Sequence, residues 1–424
     1  MSDLLCSAKL GATTLALLLS AASLSAQASV TPDRTRLIFN ESDKSISVTL
    51  RNNDPKLPYL AQSWIEDEKG NKISSPLTVL PPVQRIDSMM NGQVKVQGMP
   101  DINKLPADRE SLFYFNVREI PPKSNKANTL QIALQTRIKL FWRPKALENV
   151  SMKNPWQYKV TLTRNGQEFT VNNPTPYYVI FSNASTQKNG NPAAGFSPIV
   201  MSPKTSAPLN VKMGSVPVLT YVNDYGARMP LFFTCNGNSC QVDEEQAAKA
   251  EAGRASMKGS CSVWAVTGLL ICCVGSGFAV AASKSVSMNL RVLVDAPPPC
   301  TVNGAAVEFG NVFINKINGV DYKRPIDYSL VCNNLAMDDL RLQMQATTVV
   351  INGETVISTG IPGFGIRVQK SSDHTILDLT SGSWLPFNFS SGVPVLEAVP
   401  VKQSGTTLAA AEFNASATIV VDYQ

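Results

Sequence analysis

Cysteine and histidine are the side chains that most often bind zinc or act in nucleophilic catalysis. This chain of 424 residues has eight cysteines and a single histidine, His374. Catalytic triads and most zinc sites use histidine, and the cysteines lack the spacing of a zinc ribbon or a redox CxxC motif. We therefore expect no enzymatic activity, no metal site and no cofactor.

Two apolar segments with the features of export signals contain half of the cysteines. In the first, Lys9 precedes an apolar run over residues 10–19, and residues 26–28 (Ala-Gln-Ala) offer the small side chains that signal peptidase reads. The run is far shorter than the roughly 20 residues of a transmembrane helix. We expect residues 1–28 to be a signal peptide that is cut after Ala28.

The second such segment lies inside the chain, at residues 257–285 (MKGSCSVWAVTGLLICCVGSGFAVAASKS). Lys258 is followed by a long uncharged run and by the small residues Ala279 and Ala281. Residues 257–281 are therefore predicted to be an internal signal peptide or an uncleaved apolar segment.

The cysteines outside both segments are even in number, which is typical of disulfides in an oxidising compartment. They are Cys235, Cys240, Cys300 and Cys332. We expect two local structural bridges, one between Cys235 and Cys240 and one between Cys300 and Cys332.

The elements that must position these residues are short alternating runs. The segment SISVTLRNN (45–53) alternates apolar and polar residues, and so does TLQIALQTRIKLFWRP (129–144), with Leu130, Ile132 and Leu134 on one face. A period of two predicts half-buried β-strands. Many short strands and 28 prolines predict an all-β chain of immunoglobulin-like sandwiches.

The net charge and the local composition indicate which partners the protein can have and where its domains separate. The net charge of +6 is spread along the chain without a dense basic block, so nucleic acid is not an expected partner. A polar stretch near residues 146–154 separates two strand-rich blocks. Residues 245–256 are rich in Ala and in charged residues, and this composition predicts a linker with some helical character.

The residues from about 29 to 244 closely resemble the periplasmic chaperones of the chaperone–usher pilus pathway. The segments that carry the resemblance are DRESLFYFNVREIPPKSNKANTLQIALQTRIKLFWRP (108–144), LPYLAQSWIEDE (57–68), PPVQR (81–85), NPTPYYV (173–179) and YVNDYGAR (221–228). The resemblance implies two immunoglobulin-like domains, at residues 29–147 and 148–244.

In that family, a chaperone strand fills a groove left open in a pilus subunit that lacks one strand of its own. The resemblance assigns this donor strand to Leu130, Ile132 and Leu134. The alternation alone favours an ordinary strand that buries these residues in its own sandwich, and only the resemblance favours donation.

The resemblance also implies roles for charged residues. Arg36 and Lys139 match the pair that binds the C-terminal carboxylate of the subunit, although a solvated surface role is the usual one for such side chains. Glu110, Arg143 and Asp224 match a charge network between the two chaperone domains, which we interpret as structural.

Residues 284–424 resemble pilus subunits, and we assign residues 282–424 to an incomplete immunoglobulin-like subunit domain. The supporting segments are VLVDAPPPCTVNG (292–304), VEFGNV (307–312), SLVC (329–332) and EFNASATIVVDYQ (412–424). The last segment includes the predicted C-terminal strand with Tyr423 and Gln424.

An N-terminal extension, which family members donate to a neighbouring subunit, corresponds to four alternating apolar residues. These are Met288, Leu290, Val292 and Val294. The same pattern fits a first strand of the subunit's own sheet.

The chain thus resembles two reading frames joined without a stop, the second beginning with its own export signal. Signal peptidase could cut near Ala281, the apolar run could remain as a membrane anchor, or the chain could be exported whole. Only an uncleaved apolar segment would make the membrane a partner.

The function that we expect is a periplasmic pilus-assembly chaperone fused to one of its client subunits, which would deliver subunits and adhesin to an outer-membrane usher. A fimbrial structural subunit or a membrane-tethered chaperone are the alternatives, and in the first of them the subunit part would reach the fimbrium. No small-molecule substrate is expected.

Overall fold

The computed structural model of the protein describes residues 30–122, 124–151, 153–257, 301–304, 306–332, 339–380 and 382–423. Nearly all of its regular elements are strands, arranged in three successive sandwiches. Two immunoglobulin-like sandwiches are followed by a third, which confirms the predicted all-β fold class.

The first sandwich has its apolar core between two sheets. Its strands are β1 (Val30–Pro32), β2 (Arg36–Asn40), β3 (Ser45–Asn52), β4 (Tyr59–Glu66), β5 (Lys72–Ile73), β6 (Leu77–Leu80), β7 (Val83–Ile86), β8 (Asn91–Gly98), β9 (Ser111–Ile120) and β10 (Thr129–Arg143), with short 3₁₀ turns at Pro100–Lys104 and Lys145–Leu147. One sheet has the order β1-β3-β8-β6. In the other, β9 lies between β10 and β4, and β2 pairs with β10. Strands β3 and β10 occupy the segments where alternation predicted them.

The second sandwich begins with a 3₁₀ turn at Trp156–Lys159. Its strands are β11 (Thr161–Asn165), β12 (Glu168–Asn173), β13 (Val179–Ser185), β14 (Ile199–Met201), β15 (Thr205–Lys212), β16 (Val218–Val222), β17 (Arg228–Leu231), β18 (Phe233–Asn236) and β19 (Ser239–Val242). The sheets have the orders β15-β12-β11-β19-β18 and β14-β13-β16-β17. A disulfide joins Cys235 and Cys240 across the β18–β19 pair, as predicted.

The segment predicted as a linker forms helix α1 (Glu244–Met257). Asp243 begins it, because its Oδ1 accepts the backbone N–H of Gln246 at 3.0 Å, a typical N-cap bond. Ala247 is fully buried in the core of the second sandwich, and Glu251 accepts a hydrogen bond from Tyr221 Oη at 3.0 Å. The helix is therefore packed against the second sandwich.

The third sandwich follows the resemblance to pilus subunits. Its strands are β20 (Thr301–Gly304), β21 (Val307–Glu308), β22 (Arg324–Ile326), β23 (Tyr328–Val331), β24 (Asp339–Ala346), β25 (Thr348–Ile351), β26 (Glu354–Ser358), β27 (Phe364–Lys370), β28 (Leu385–Asn388), β29 (Leu396–Lys402) and β30 (Asn414–Tyr423), with 3₁₀ turns at Ile314–Lys316 and Phe389–Ser391. One sheet has the order β22-β29-β27-β26-β25. A second begins β28-β24-β30 and continues into β10 of the first sandwich, which makes a ten-stranded sheet, and β20 pairs with β23 in a third.

A buried asparagine fixes the loop after β3. Asn52 is fully buried, and its Nδ2 donates to the carbonyls of Leu57, Ile86 and Asp87 at 2.9–3.1 Å. Its Oδ1 accepts the N–H of Asp54 at 3.0 Å. One side chain thus satisfies loop groups that would otherwise be buried without partners.

We predict that Asn52→Ala lowers the free energy of unfolding of the first sandwich by about 2–4 kcal/mol, because several buried polar groups lose their partner. Asn53→Ala is the matched control: Asn53 is half-buried and makes one bond, to Thr31 Oγ1 at 3.2 Å, so its loss should cost about 1 kcal/mol or less. Urea unfolding followed by tryptophan fluorescence measures both. Equal losses for the two variants would contradict this account of Asn52.

Candidate functional site

Strand β10 is shared between the first and the third sandwich. Residues 129–137 pair in parallel with β30, from Thr129 beside Asn414 to Arg137 beside Asp422. Thr129 and Leu130 also pair antiparallel with β21. Residues 138–142 pair antiparallel with β9, and residues 139–143 pair in parallel with β2. The first part of the strand therefore lies in the third sandwich and the last part in the first.

The three predicted donor-strand residues lie in the apolar core. Leu130 is fully buried, and Ile132 and Leu134 are each 3% exposed. They belong to one continuous core cluster that contains residues of the third sandwich such as Ile419. At Gly304 in β20, an added Cβ would lie only 3.5 Å from Leu134 Cδ2. The backbone of the third sandwich thus passes close to these side chains.

A polar cluster fixes the start of the shared strand. Asn128 has a positive φ of 56°, a conformation that asparagine tolerates, and its carbonyl accepts the N–H of Phe309 at 3.0 Å. Its side chain donates to Gly310 O at 3.1 Å and accepts the N–H of Phe413 at 3.2 Å. Asn128 therefore contacts both segments of the third sandwich that flank β10.

Two more contacts hold the same end of the strand. Thr129 Oγ1 donates to Asn414 Oδ1 at 2.9 Å, and Lys126 forms an exposed ion pair with Glu308 at 2.7 Å. None of these residues was predicted from the sequence. An asparagine directly before a strand, where a left-handed residue suits the turn, is the signal that could have identified Asn128.

Arg36 and Lys139 are direct partners in the β2–β10 ladder, and both are buried. Burial lowers the pKa of Arg36 to about 10 and that of Lys139 to about 8, because the charged forms lose their hydration. Asp422 opposes the shift of Lys139. Within the described residues, the buried Nε of Arg36 has no hydrogen-bond partner. Two neighbouring buried cations favour an anion beside them.

The predicted network of Glu110, Arg143 and Asp224 is assembled between the first and second sandwiches. Arg143 Nε donates to Glu110 Oε1 at 2.8 Å, and its Nη1 donates to Asp224 Oδ2 at 2.9 Å. The second oxygen of Glu110 accepts the N–H of Tyr178 at 2.7 Å. The Arg143 guanidinium also lies 5.3 Å from the ring centres of Trp156 and Tyr177.

An apolar cluster between the same two sandwiches surrounds this network. It contains Leu112, Tyr114, Phe141, Tyr178, Ile180 and Val222. Charge pairing and apolar burial together fix how the two sandwiches meet.

Several predicted residues lie outside the described part of the chain. They are the signal peptide at residues 1–28, nearly all of the internal signal at residues 257–281, the extension residues Met288, Leu290, Val292 and Val294, Cys300 and Gln424. Tyr423 is described as the last residue of β30. Cys332 is disulfide-bonded.

The described residues contain no group of three or more His, Cys, Asp or Glu side chains arranged to hold a metal ion. Among the same residues, none of the helices has the length and apolar character needed to cross a membrane. The candidate site around β10 consists of paired strands, buried apolar side chains and charge pairs.

Comparisons with known proteins divide the chain into three successive parts, as the three sandwiches do. Residues 29–148 match the family described as "Pili and flagellar-assembly chaperone, PapD N-terminal domain". Residues 155–233 match "Pili assembly chaperone PapD, C-terminal domain", and residues 286–424 match "Fimbrial protein".

Two relatives from Escherichia coli (strain K12) cover different parts of the chain. The "Probable fimbrial chaperone YfcS" is 91% identical over 249 residues, which are 59% of this chain and 100% of the relative. The fimbrial-like protein YfcR is 52% identical over 157 residues, 37% of this chain and 92% of the relative. The crystal structure of the periplasmic chaperone SfaE is similar as well, with 30% identity over 47% of this chain and 95% of that chain and a TM-score of 0.39.

A whole chaperone relative and nearly a whole fimbrial relative are therefore matched in succession within one chain. The chain belongs to the pili assembly chaperones of the chaperone–usher pathway, a family with a non-enzymatic role, and it continues as a fimbrial subunit.

Proposed function

We propose that this protein is a periplasmic assembly chaperone that holds its own fused fimbrial subunit through strand β10, as a step before delivery to an outer-membrane usher. The observation that carries the proposal is the pairing of residues 129–137 with β30 while Leu130, Ile132 and Leu134 enter the shared core. In this role β10 acts as a donor strand.

The physical basis is the open edge of the third sandwich. Without β10, strand β30 would present unpaired backbone groups and the core beside it would be open to water. Burying a Leu or Ile side chain contributes about 1.5–3 kcal/mol each, so three such residues make a large share of the stability of a small domain. Backbone pairing adds hydrogen bonds that need no particular client sequence.

The proposed anchor for the client's C-terminus is the pair Arg36 and Lys139. The parallel register aligns Arg137 with Asp422, and the same register continued by two positions would bring residue 424 level with Lys139. A terminal carboxylate there would neutralise two cations that burial disfavours. It would also fix the register of the client on β10.

The remaining predicted residues support the same role. Glu110, Arg143 and Asp224 would hold the angle between the chaperone domains, predicted at residues 29–147 and 148–244. The extension at Met288, Leu290, Val292 and Val294 would replace β10 once the subunit joins a neighbour. Adhesin and other subunits are the further clients that we infer.

Fusion makes the cis complex favourable by proximity. The chaperone and subunit parts are joined in one chain, which tethers the subunit to the chaperone that would hold it. Such a tether corresponds to an effective concentration in the millimolar range. The chaperone is then occupied by its own client and is less available to others.

We predict that Leu134→Ala weakens the third sandwich by about 2–5 kcal/mol, because a cavity opens in the shared core. Hydrogen exchange of β30 amides in the full chain measures the loss, with the strands of the second sandwich as an unchanged reference. Gln131→Ala is the control, because Gln131 is half-buried and its side chain bonds the carbonyl of Pro122 at 2.7 Å. Unchanged protection of β30 in Leu134→Ala would contradict strand donation.

We predict that Lys139→Met loosens the third sandwich by an amount on the order of 2–5 kcal/mol and leaves the chaperone domains folded, because a buried carboxylate would lose one of its two cations. Limited proteolysis of the purified chain should then remove the third sandwich first. Lys126→Met removes an exposed ion pair and should cost about 1 kcal/mol or less. Equal protease sensitivity of the two variants would count against the anchor.

We predict that the full chain captures an added client far less well than the separate chaperone. The test dilutes a labelled, unfolded polypeptide of residues 284–424 into either the full chain or residues 29–257, which contain the first two sandwiches and helix α1. Capture by the full chain should be at least about tenfold lower, given the effective concentration of the tethered client. Equal capture would show that the cis complex does not occupy the site.

A further inference from the structure

A charged cluster joins the first sandwich to the last strand of the third, next to Arg36 and Lys139. The chaperone side contributes Glu66, Tyr114 and Arg137, and the subunit side contributes Arg341, Trp384 and Asp422. Its centre is Asp422, two residues before the end of the chain and fully buried.

Asp422 is bound from both sides of the interface. Arg137 Nη1 donates to its Oδ2 at 3.3 Å from the chaperone, and Arg341 Nε donates to the same oxygen at 2.7 Å from the subunit. Without this carboxylate, the two guanidinium groups would lose the anion that lies between them. Removing one partner from a buried charge pair is strongly destabilising for that reason.

The chaperone holds Arg137 in place with its own residues. Arg137 Nε donates to Glu66 Oε2 at 2.9 Å, and its guanidinium carbon lies 3.3 Å from the ring centre of Tyr114. Arg137 is only 8% exposed in its side chain. Because Glu66 and Tyr114 fix the guanidinium independently of the client, one face of it is left to bind a client carboxylate.

Arg341 belongs to the client instead. It stacks over Trp384 at 4.4 Å from the ring centre and remains 28% exposed in its side chain. The client therefore supplies an acidic residue together with a cation that supports it. The chaperone supplies the second cation.

The strand register gives this contact its specificity. Asp422 lies directly opposite Arg137 in the parallel ladder, and a slip by one residue would turn the carboxylate to the other face of the sheet. We propose that Arg137 recognises the side chain at the position of Asp422 in the client's β30 strand and selects fimbrial subunits that carry a carboxylate there. This inference rests on the proposed donor-strand function and adds a side-chain requirement to it.

The test is a double-mutant cycle on the full chain, with hydrogen exchange of β30 amides as the readout. Asp422→Asn and Arg137→Met should each raise exchange by about tenfold or more, because each leaves a buried charge without its partner. The double variant should exchange no faster than the worse single variant, since both changes remove the same contact. Strands of the second sandwich serve as the reference for intact folding.

Two comparisons decide whether the Asp422 carboxylate is bound mainly by the chaperone, through Arg137, or by the subunit, through Arg341. If Asp422→Asn has its full effect in an Arg137→Met background and none in an Arg341→Met background, the carboxylate serves the subunit alone and the inference is overturned. Arg137→Lys keeps a charge but loses the forked geometry, so it should give an intermediate increase even if the stronger variants fold poorly.

Leu134→Ala in the same assay distinguishes a failure of strand donation from a failure of selection by Arg137. If Leu134→Ala raises β30 exchange while Arg137 and Asp422 show no coupling, strand donation stands and selection by Arg137 is wrong. If Leu134→Ala leaves β30 protected, strand donation itself fails.

Discussion

The pairing of β10 with two different sandwiches is the interaction on which the rest of this structure depends. The strand has fifteen residues, of which the first nine pair with β30 and the last six pair with β9, with β2 or with both. A strand that served only the first sandwich would leave its first half as an exposed apolar edge, a liability that folded proteins avoid. The third sandwich has the opposite problem, because its core is open where β10 enters. Each sandwich covers the other's unfavourable surface.

The two faces of β10 make different kinds of contact, because side chains alternate along a strand. Even-numbered residues such as Leu130, Leu134 and Ile138 lie in the large shared core. Odd-numbered residues carry the charges: Arg137 contacts Asp422, and Arg143 contacts Glu110 and Asp224. One face thus supplies affinity through apolar burial, and the other supplies register and domain orientation through charge pairing. In the proposed function, this division lets one strand bind clients through its backbone and still select among them.

Fusion changes the entropic cost of this interaction but not the contacts that make it. A chaperone and a client that meet as separate molecules lose translational freedom when they bind, whereas a tethered pair has lost most of it already. Helix α1 begins the connection by packing Ala247 on the second sandwich, away from β30. The same physical chemistry that lets a chaperone hold a client therefore makes the client of a fused chain harder to release.

The sequence by itself determined the class of the fold, the strand at residues 129–144 and the apolar residues that β10 presents, since a period of two is a local property of the chain. Resemblance to known families added Arg36, Lys139 and the Glu110–Arg143–Asp224 network, and the family matches agree with the two kinds of protein that it implied. The alternation left open whether Leu130, Ile132 and Leu134 enter their own sandwich or another, because burial of either kind produces the same pattern. Only the tertiary structure decided this.

The tertiary structure also brought together residues that no local pattern connects. Arg137 and Asp422 are 285 positions apart in the chain, as are Asn128 and Phe413. Their contacts depend on the register between β10 and β30, which is set by the packing of both sandwiches at once. Hydrophobic periodicity specifies which face of a strand is buried, but it carries no information about which distant strand lies beside it.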